Sequence, residues 1–466
     1  MGIRLDWEIE ADKKSVKRDG EDPESAHRRR MARLRVLVLV LCVVMVILGI
    51  ATFMRWRVNM VSDQIEQALR DVVIAEVTAL RVGDKEAFLS FQRSAAPYWV
   101  SDQDALFDNY QQLIQQNDSV QLTGRVLEVE IDNMRARVHV EEIINNTPYA
   151  RVWFYWRYED DDDRDGLQDG WRHVPVDPTF WGVAMVYNGQ FVTVNYDSVD
   201  SKLGSTVGQT IDEWVEMACS IMDCDELPPV RVEIVSQGAI TVDWLPDDPW
   251  VLRIPSPYLD RNRCDMPFTP QLQIEVATLL AERMVIYASN NVRATYPADA
   301  YYLQQATISW LVGRFVQIDT GSFLVGSMAA IYGNAAVGQL LSVMSPDSNI
   351  AVISQVIGVT LDQSQLDWRD FLTWRLEMER DLIMRQDSVN FYALYDTSDD
   401  GVLDAANARF GQEAFVPMLV TLVQAHTLSA DGAPQTAATV RVGEGENVAE
   451  MQILFRLIDN VWLRAG

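Results

Sequence analysis

The chain has little of what most metal and redox sites are built from. Of its 466 residues, four are histidine and four are cysteine, and no two cysteines are spaced as CxxC. This scarcity leaves few ligands for a zinc cluster and argues against a thioredoxin-like redox motif. The sequence also lacks a GxSxG nucleophile elbow, a Walker loop and a GxGxxG turn. It therefore does not indicate a serine hydrolase, a P-loop nucleotidase or a dinucleotide-binding enzyme.

Positive charge is scarce as well. The chain has 39 Lys and Arg against 67 Asp and Glu, which gives a net charge of −28. Binding to nucleic-acid phosphates requires clustered Lys and Arg, so this composition argues against a nucleic-acid partner. The hydrophobic share of 48% is sufficient for folded cores, and the length suggests two or three domains.

One apolar segment, residues 36–54, contains no charged residue. Its length is close to the roughly 20 residues that cross a bilayer as a helix. Seven Lys and Arg lie in residues 16–35 and three in residues 55–74, and this asymmetry predicts a cytoplasmic N-terminus. We expect a single-pass protein of the plasma membrane, with residues 55–466 extracytoplasmic and residues 1–35 a disordered cytoplasmic tail. A cleaved signal peptide is the alternative, but the apolar run is too long for it.

Two regions share one order of predicted elements. In residues 55–178, helices over 61–92 and 102–116 precede alternating strands, and Gly83-Asp84 interrupts the first helix. In residues 375–466, helices over 375–395 and 401–413 precede strands that end in a tryptophan-bearing edge strand. The predicted strands of the two regions are 120–131, 134–144, 149–158 and 170–174, and then 418–428, 435–443, 448–458 and 461–463. The pattern predicts an internal repeat of two α+β modules.

Both modules resemble the nuclear-transport-factor-two-like (SnoaL-like) superfamily. The run Ala79–Asp84 followed by Phe88 is similar to the helix-to-helix step of that superfamily. The resemblance implies two cone-like modules that act as non-catalytic pockets or as dimerisation units.

Residues 186–374 have a different character. A strand over 186–196, a helix over 205–222 and short strands at 230–235 and 240–242 are predicted before a mainly helical stretch. The strand FVTVNY and the later Gly321–Phe323 and Tyr332-Gly333 segments resemble the peptidase-MA-like (gluzincin) metallopeptidases. The expected fold class is therefore multidomain α+β, in which two cone-like modules flank a mostly helical, degenerate metallopeptidase-like domain.

The zinc motif of that family is missing. HExxH places two histidines on one helix face to hold zinc, and its glutamate activates water. Here the corresponding residues are Ile274, Glu275 and Thr278, and the downstream segment 310–314 contains no acidic ligand. We therefore expect no zinc and no catalytic residue. Glu275 is either an ordinary helix residue or the base of a divergent hydrolase.

Two acidic loops partly match the calcium loop of an EF-hand. In the second loop the matching oxygens belong to Asp396, Ser398, Asp400 and Asp404, with a weak Asn407 at the twelfth position. This loop is a weak calcium candidate, and a helix N-cap is the competing interpretation. The first loop, 161–172, ends in Arg172 where a carboxylate is required, so we predict a solvated turn there.

Three cysteines follow the apolar segment. Cys219 and Cys224 can form a disulfide if their helix ends near Met222, and Cys264 is the alternative partner of Cys224. The aromatic run 153–156 alternates across a strand, which indicates core packing or a ligand pocket.

The sequence thus favours a non-catalytic, membrane-anchored binding or scaffold protein. Its expected partners are the lipid bilayer and a protein or peptide at the outer face. A hydrolase that uses Glu275 and a sensor that signals through the cytoplasmic tail are the alternatives.

Overall fold

The computed structural model describes residues 23–116, 119–158, 169–222, 224, 227–237, 241–412, 416–443 and 448–466. Helices account for 50% and strands for 24% of the structure. The chain therefore has the mixed α+β character that the sequence predicts.

The first helix, α1 (Pro23–Val82), has 60 residues and is about 90 Å long. Within the described ranges it is the one unbroken helix that is long and apolar enough to cross a membrane, and its most apolar window has no buried residue. A core helix of a soluble domain would be covered there. The prediction of a disordered tail is wrong for residues 23–35, because no helix breaker separates them from the apolar segment and the helix propagates through them. Residues 1–22 lie outside the described residues.

The C-terminal part of α1 packs on an antiparallel sheet together with α2 (Lys85–Ser90) and α3 (Trp99–Gln116). The sheet consists of β1 (Val120–Asp132), β2 (Arg135–Ile144), β3 (Thr147–Tyr158) and β4 (Gly170–Val174), in chain order. Gly83 has a φ of 78°, a value that ends α1 at the predicted break. Buried side chains of the helices and the sheet form one core, among them Leu69, Val73, Val138 and Trp153.

The middle of the chain begins with a mixed sheet. Its strands are β5 (Ala184–Asn188), β6 (Val192–Asp197), β7 (Val230–Val235), β8 (Asp243–Trp244) and β9 (Val251–Pro255) in the order β5-β6-β7-β9-β8, and α4 (Ser201–Met222) packs on β6. The short strand β10 (Asn262–Arg263) follows and joins the first sheet.

The prediction of a single strand over 186–196 is wrong. The chain turns between β5 and β6 because the Asp212 carboxylate of α4 accepts the backbone N–H groups of Gln190, Phe191 and Val192 at 2.6–3.1 Å. The strand predicted at 240–242 is replaced by β8, and residue 240 lies outside the described residues.

Six helices follow: α5 (Pro270–Ala288), α6 (Asp299–Val316), α7 (Phe323–Tyr332), α8 (Asn334–Val343), α9 (Val352–Ile357) and α10 (Arg369–Met384). The bent pair α7 and α8, at 117°, is apolar enough for a broken membrane span, but Leu324, Met328 and Leu340 are buried in the protein core. The predicted domain boundary between residues 374 and 375 falls inside α10, so one helix belongs to both regions.

The C-terminal region has the same order of helices and strands as the first module. After α11 (Ser388–Tyr392) and α12 (Asp400–Phe410) come β11 (Met418–Val423), β12 (Thr427–Leu428), β13 (Pro434–Val442), β14 (Ala449–Ile458) and β15 (Val461–Arg464). The sheet order is β11-β13-β14-β15, with β12 on the edge of β13. The strand predicted over 418–428 is therefore two strands, interrupted at residues 424–426.

The two modules also share a parallel bridge. Gln92 pairs with His173 of β4, and Tyr395 pairs with Arg464 of β15. In each module a buried glutamate lies 16 residues before the bridge: Glu76 on α1 and Glu379 on α10. The repeat thus extends to a buried carboxylate at the same place.

Both carboxylates are held by the bridge residues. Glu76 accepts the Gln92 amide and the Tyr155 hydroxyl at 2.7 Å each, and its contact with His173 Nδ1 is also 2.7 Å. Glu379 pairs with Arg464 at 2.8 Å. Burial and the neighbouring carboxylate raise the pKa of Tyr155 well above its ordinary value, so the phenol remains a hydrogen-bond donor.

We predict that Glu76→Ala destabilises the protein by about 3–5 kcal/mol, because it leaves three buried polar side chains without their shared acceptor. Denaturant unfolding of the detergent-solubilised full-length protein measures this loss. The matched control is Glu86→Ala on the exposed face of α2, which should change stability by less than about 0.5 kcal/mol. Equal effects of the two substitutions would contradict the prediction.

Candidate functional site

A cavity of about 420 Å³ lies beside the N-terminal part of α5, at the end of the mixed sheet. Its walls come from the segments before β8 and after β9 and from the first turns of α5. The lining combines apolar side chains with polar and charged ones, among them Val242, Pro257, Leu259, Asp260, Arg261, Asn262, Leu272 and Glu275.

The direction of α5 decides which of its residues reach this cavity. Thr269 caps the helix and Pro270 occupies its first turn, as is typical of helix starts. Val276 and Leu280 are buried on the inner face. Of the three positions that correspond to the zinc motif, Glu275 lines the cavity and is exposed, whereas Ile274 and Thr278 are not part of its lining. The Thr278 hydroxyl donates to the Ile274 carbonyl at 2.7 Å.

The segment expected to carry a third ligand is not brought to this cavity. α6 packs against α5, but Trp310 and Leu311 are buried in the core and no α6 residue lines the cavity. Among the residues that the structure describes, no group of three or more His, Cys, Asp or Glu could hold a metal ion. What the cavity offers is a surface of apolar side chains together with the carboxylates of Asp260 and Glu275.

A buried carboxylate lies behind the cavity wall. Asp200 is fully buried and accepts the hydroxyl of Ser256 at 2.6 Å and the indole N–H of Trp181 at 2.7 Å. Ser256 lines the cavity. Burial raises the pKa of Asp200 to about 6, against 3.8 for a free side chain. Sequence reasoning missed this group, because no local pattern distinguishes one acid among 67.

The cavity also borders the first module. β10 adds to β3 through the antiparallel pairs Asn262–Ala150 and Arg263–Tyr149. Arg261, which lines the cavity, forms a 2.8 Å ion pair with Glu142 of β2, and Glu142 accepts the Tyr110 hydroxyl. Burial, followed by the Glu142 charge, raises the pKa of Tyr110 to about 12. One wall of the cavity is thus fixed by a strand and an ion pair to the neighbouring sheet.

The calcium candidates are held by protein groups. Asp396 is buried, pairs with Arg456 at 2.8 Å and accepts the Ser398 hydroxyl at 2.5 Å. Asp399 caps α12 through the N–H groups of Gly401 and Val402. Asp400 and Asp404 are exposed on α12. The loop therefore has the geometry of a helix N-cap, which was the competing interpretation. The first acidic loop lies mostly outside the described residues.

The remaining candidates have structural roles. Cys219 and Cys224 form a disulfide with Cα atoms 4.8 Å apart, and Cys264 is a free, half-buried thiol. Of the aromatic run, Trp153, Phe154 and Tyr155 are buried in packed clusters, whereas Trp156 is 42% exposed. These three rings therefore pack in the core rather than line a pocket.

No protein-family model, no curated protein and no solved structure matches this chain.

We predict that Asp200 makes stability fall as pH rises from about 4 to 6. In this range the folded state keeps the carboxyl proton and the unfolded state loses it. The free energy of unfolding therefore decreases as pH rises, until the pH exceeds the pKa of Asp200 in the folded state. Across this range the free energy of unfolding falls by about 3 kcal/mol, because the pKa of Asp200 is 3.8 for a free side chain and about 6 in the folded protein. Unfolding free energies of the wild type and Asp200→Asn at several pH values test this. The stability of Asp200→Asn relative to the wild type should increase with pH and level off above pH 6. A difference in stability that does not change with pH would contradict the assignment.

Proposed function

We propose that this protein is a non-catalytic, membrane-anchored binding or scaffold protein. In this proposal α1 crosses the plasma membrane, and the N-terminus of the chain lies in the cytoplasm. Its extracytoplasmic body binds a peptide or protein segment in the cavity beside Glu275. The observation that carries the proposal is that apolar and acidic side chains line a cavity beside Glu275, while the positions expected to hold zinc are occupied by Ile274 and Thr278.

The cavity has suitable dimensions and chemistry for binding. About 420 Å³ falls within the range of roughly 300–1,000 Å³ that is usual for ligand pockets. Leu259 and Leu272 supply apolar contact area, and Asp260 and Glu275 supply acceptors for backbone N–H groups or a basic side chain. Such a combination gives affinity through burial and orientation through a few polar contacts.

The same residues give little support for hydrolysis. A carboxylate without a metal ion cannot polarise a peptide carbonyl or lower the pKa of a bound water. Ser256 directs its hydroxyl to a carboxylate rather than to a histidine, so it lacks the base that activates a serine nucleophile. Binding therefore accounts for these groups better than catalysis.

The anchor fits a role at the membrane surface. α1 continues from the apolar segment into the core of the first module without a break, so the body is attached through a helix rather than a flexible linker. With a net charge of −28 for the whole chain, the body attracts cationic partners and repels anionic ones.

We predict that Gln271→Trp, which fills the cavity from an exposed position on α5, abolishes association with the partner. The bulky ring occupies the space that a ligand side chain needs, without disturbing the buried core. Co-purification in mild detergent followed by mass spectrometry measures the loss. Gln115→Trp, at an exposed position on α3, is the matched control and should keep the partner. A monomer without partners in the wild type, or equal recovery from both variants, would refute the proposal.

We predict that grafting histidines at the motif positions does not restore a metalloenzyme site. Ile274→His combined with Thr278→His should bind zinc no more tightly than the pair Gln67→His and Asp71→His, which also has i,i+4 spacing on an exposed helix face. The reason is that α6 supplies no third ligand. Zinc titration measures both affinities. An affinity more than about tenfold higher at residues 274 and 278, with peptide cleavage that requires Glu275, would instead support the divergent hydrolase.

A further inference from the structure

A second groove, of about 600 Å³, lies far along the chain from Glu275, between β11 and the segment that leads into α10. One wall is formed by residues between 362 and 369, and the other by residues 421–426. In the described ranges β11 pairs with β13 alone. On its other side the Val420 N–H donates to the Thr373 hydroxyl at 3.0 Å. Beyond Val420 the open edge of β11 therefore runs along the groove.

The groove has an unusual floor. Trp368 is 1% exposed, and in the described part of the chain its indole N–H has no acceptor. The Trp462 indole N–H and His426 Nδ1 are likewise buried without a partner there. The three rings adjoin one another: Trp462 lies 5.9 Å from Trp368 and 5.1 Å from His426, centroid to centroid. Trp368 and His426 line the groove, whereas Trp462 is not part of its lining. Buried polar groups are normally satisfied, so the two unpaired groups of the lining are available to hydrogen-bond a ligand.

The charge of the groove limits the kind of acceptor. Asp362 lies on the wall near His426 and opposes the lowering of the histidine pKa that burial causes. Asp367 is bound to Arg369 at 2.7 Å, so that guanidinium is already neutralised. An anionic ligand would meet Asp362 without a free cation, whereas a peptide backbone brings neutral carbonyl acceptors and can carry a basic side chain to Asp362.

The chain itself contains such an arrangement. In the first module β10 adds to the open edge of β3, and its neighbour Arg261 pairs with Glu142 of the adjacent strand. A short basic segment thus extends a sheet of this protein next to a carboxylate. At β11 the strand edge and the carboxylate are present, and no segment of the described chain fills the place.

We propose that this groove binds an extended, basic peptide segment of a partner protein, which adds as a strand to β11. Main-chain hydrogen bonds to the strand edge give affinity in this binding mode, and side-chain pockets give specificity. A peptide carbonyl supplies an acceptor for the Trp368 indole N–H, and a lysine or arginine of the peptide pairs with Asp362. The site is distinct from the cavity beside Glu275, and its occupancy does not depend on that cavity.

The test uses the full-length protein in detergent and fluorescently labelled peptide pools about eight residues long, a length usual for strands. In the basic pool Lys alternates with Val, Ile and Thr; in the acidic pool Glu replaces Lys; in a third pool alternate backbone nitrogens of the basic peptides are methylated. Fluorescence anisotropy measures binding. The basic pool should bind, and the acidic and methylated pools should bind at least about tenfold more weakly.

Two substitutions locate the binding. Asp362→Lys should weaken binding of the basic pool by at least about tenfold, and Trp368→Phe should weaken it while keeping a ring in place. Asp347→Lys, which makes the same charge change at an exposed position outside the groove, should have no effect, and thermal unfolding verifies that each variant is folded. Three results would each overturn the proposal. They are equal binding of the basic and acidic pools, unchanged binding by the Asp362→Lys variant, and no binding of the basic pool up to about 1 mM. Gln271→Trp should leave this binding unchanged, which separates it from the cavity of the proposed function.

Discussion

The body of this protein depends on a buried carboxylate in its long N-terminal helix, α1. Glu76 has no exposed surface, and a charge in that position is tolerated only when its oxygens are bound. Its three partners come from the loop after α2 and from β3 and β4. One side chain thus joins α1 to the sheet at two of its strands. Because α1 is continuous, the first module cannot rotate freely relative to the apolar segment.

The same constraint appears a second time, with different chemistry. Glu379 replaces Glu76, and Arg464 and Tyr395 replace His173 and Gln92 at the bridge. The first module ties its glutamate with a histidine and neutral donors, the second with a permanent cation. The position of the carboxylate, the spacing to the bridge and the order of the strands agree, while the partners have changed. The two modules therefore resemble each other in strand order and in the position of the buried carboxylate more than in the identity of the residues that bind it.

Periodicity and turn residues predicted the elements whose shape is set locally: the apolar helix, the break at Gly83, α4, β7 and the shared order of helices and strands in the two modules. The predictions failed where a distant group decides. The turn between β5 and β6 depends on Asp212, 20 or more residues along the chain, and β10 exists because a neighbouring sheet has an open edge. No pattern within a strand window reports such contacts. The candidate site was predicted in part: Glu275 lines a cavity, but Asp200 and Arg261, which help to form and fix its walls, belong to segments that read as ordinary loops.

The two modules differ most in how their sheets meet other chain segments. The outer side of the first sheet is covered by the middle of the chain: Val152 and Phe154 pack against Trp181 and Tyr258, and β10 closes part of the edge of β3. In the second module, Leu419 and Leu422 of β11 are more than half exposed. The covered edge belongs to β3, the third strand of the first sheet, whereas the exposed residues belong to β11, the first strand of the second sheet. Exposed strand edges that are neither short nor guarded by charge promote association. The described chain thus covers part of one strand edge in the first sheet, whereas it leaves apolar side chains of β11 exposed in the second.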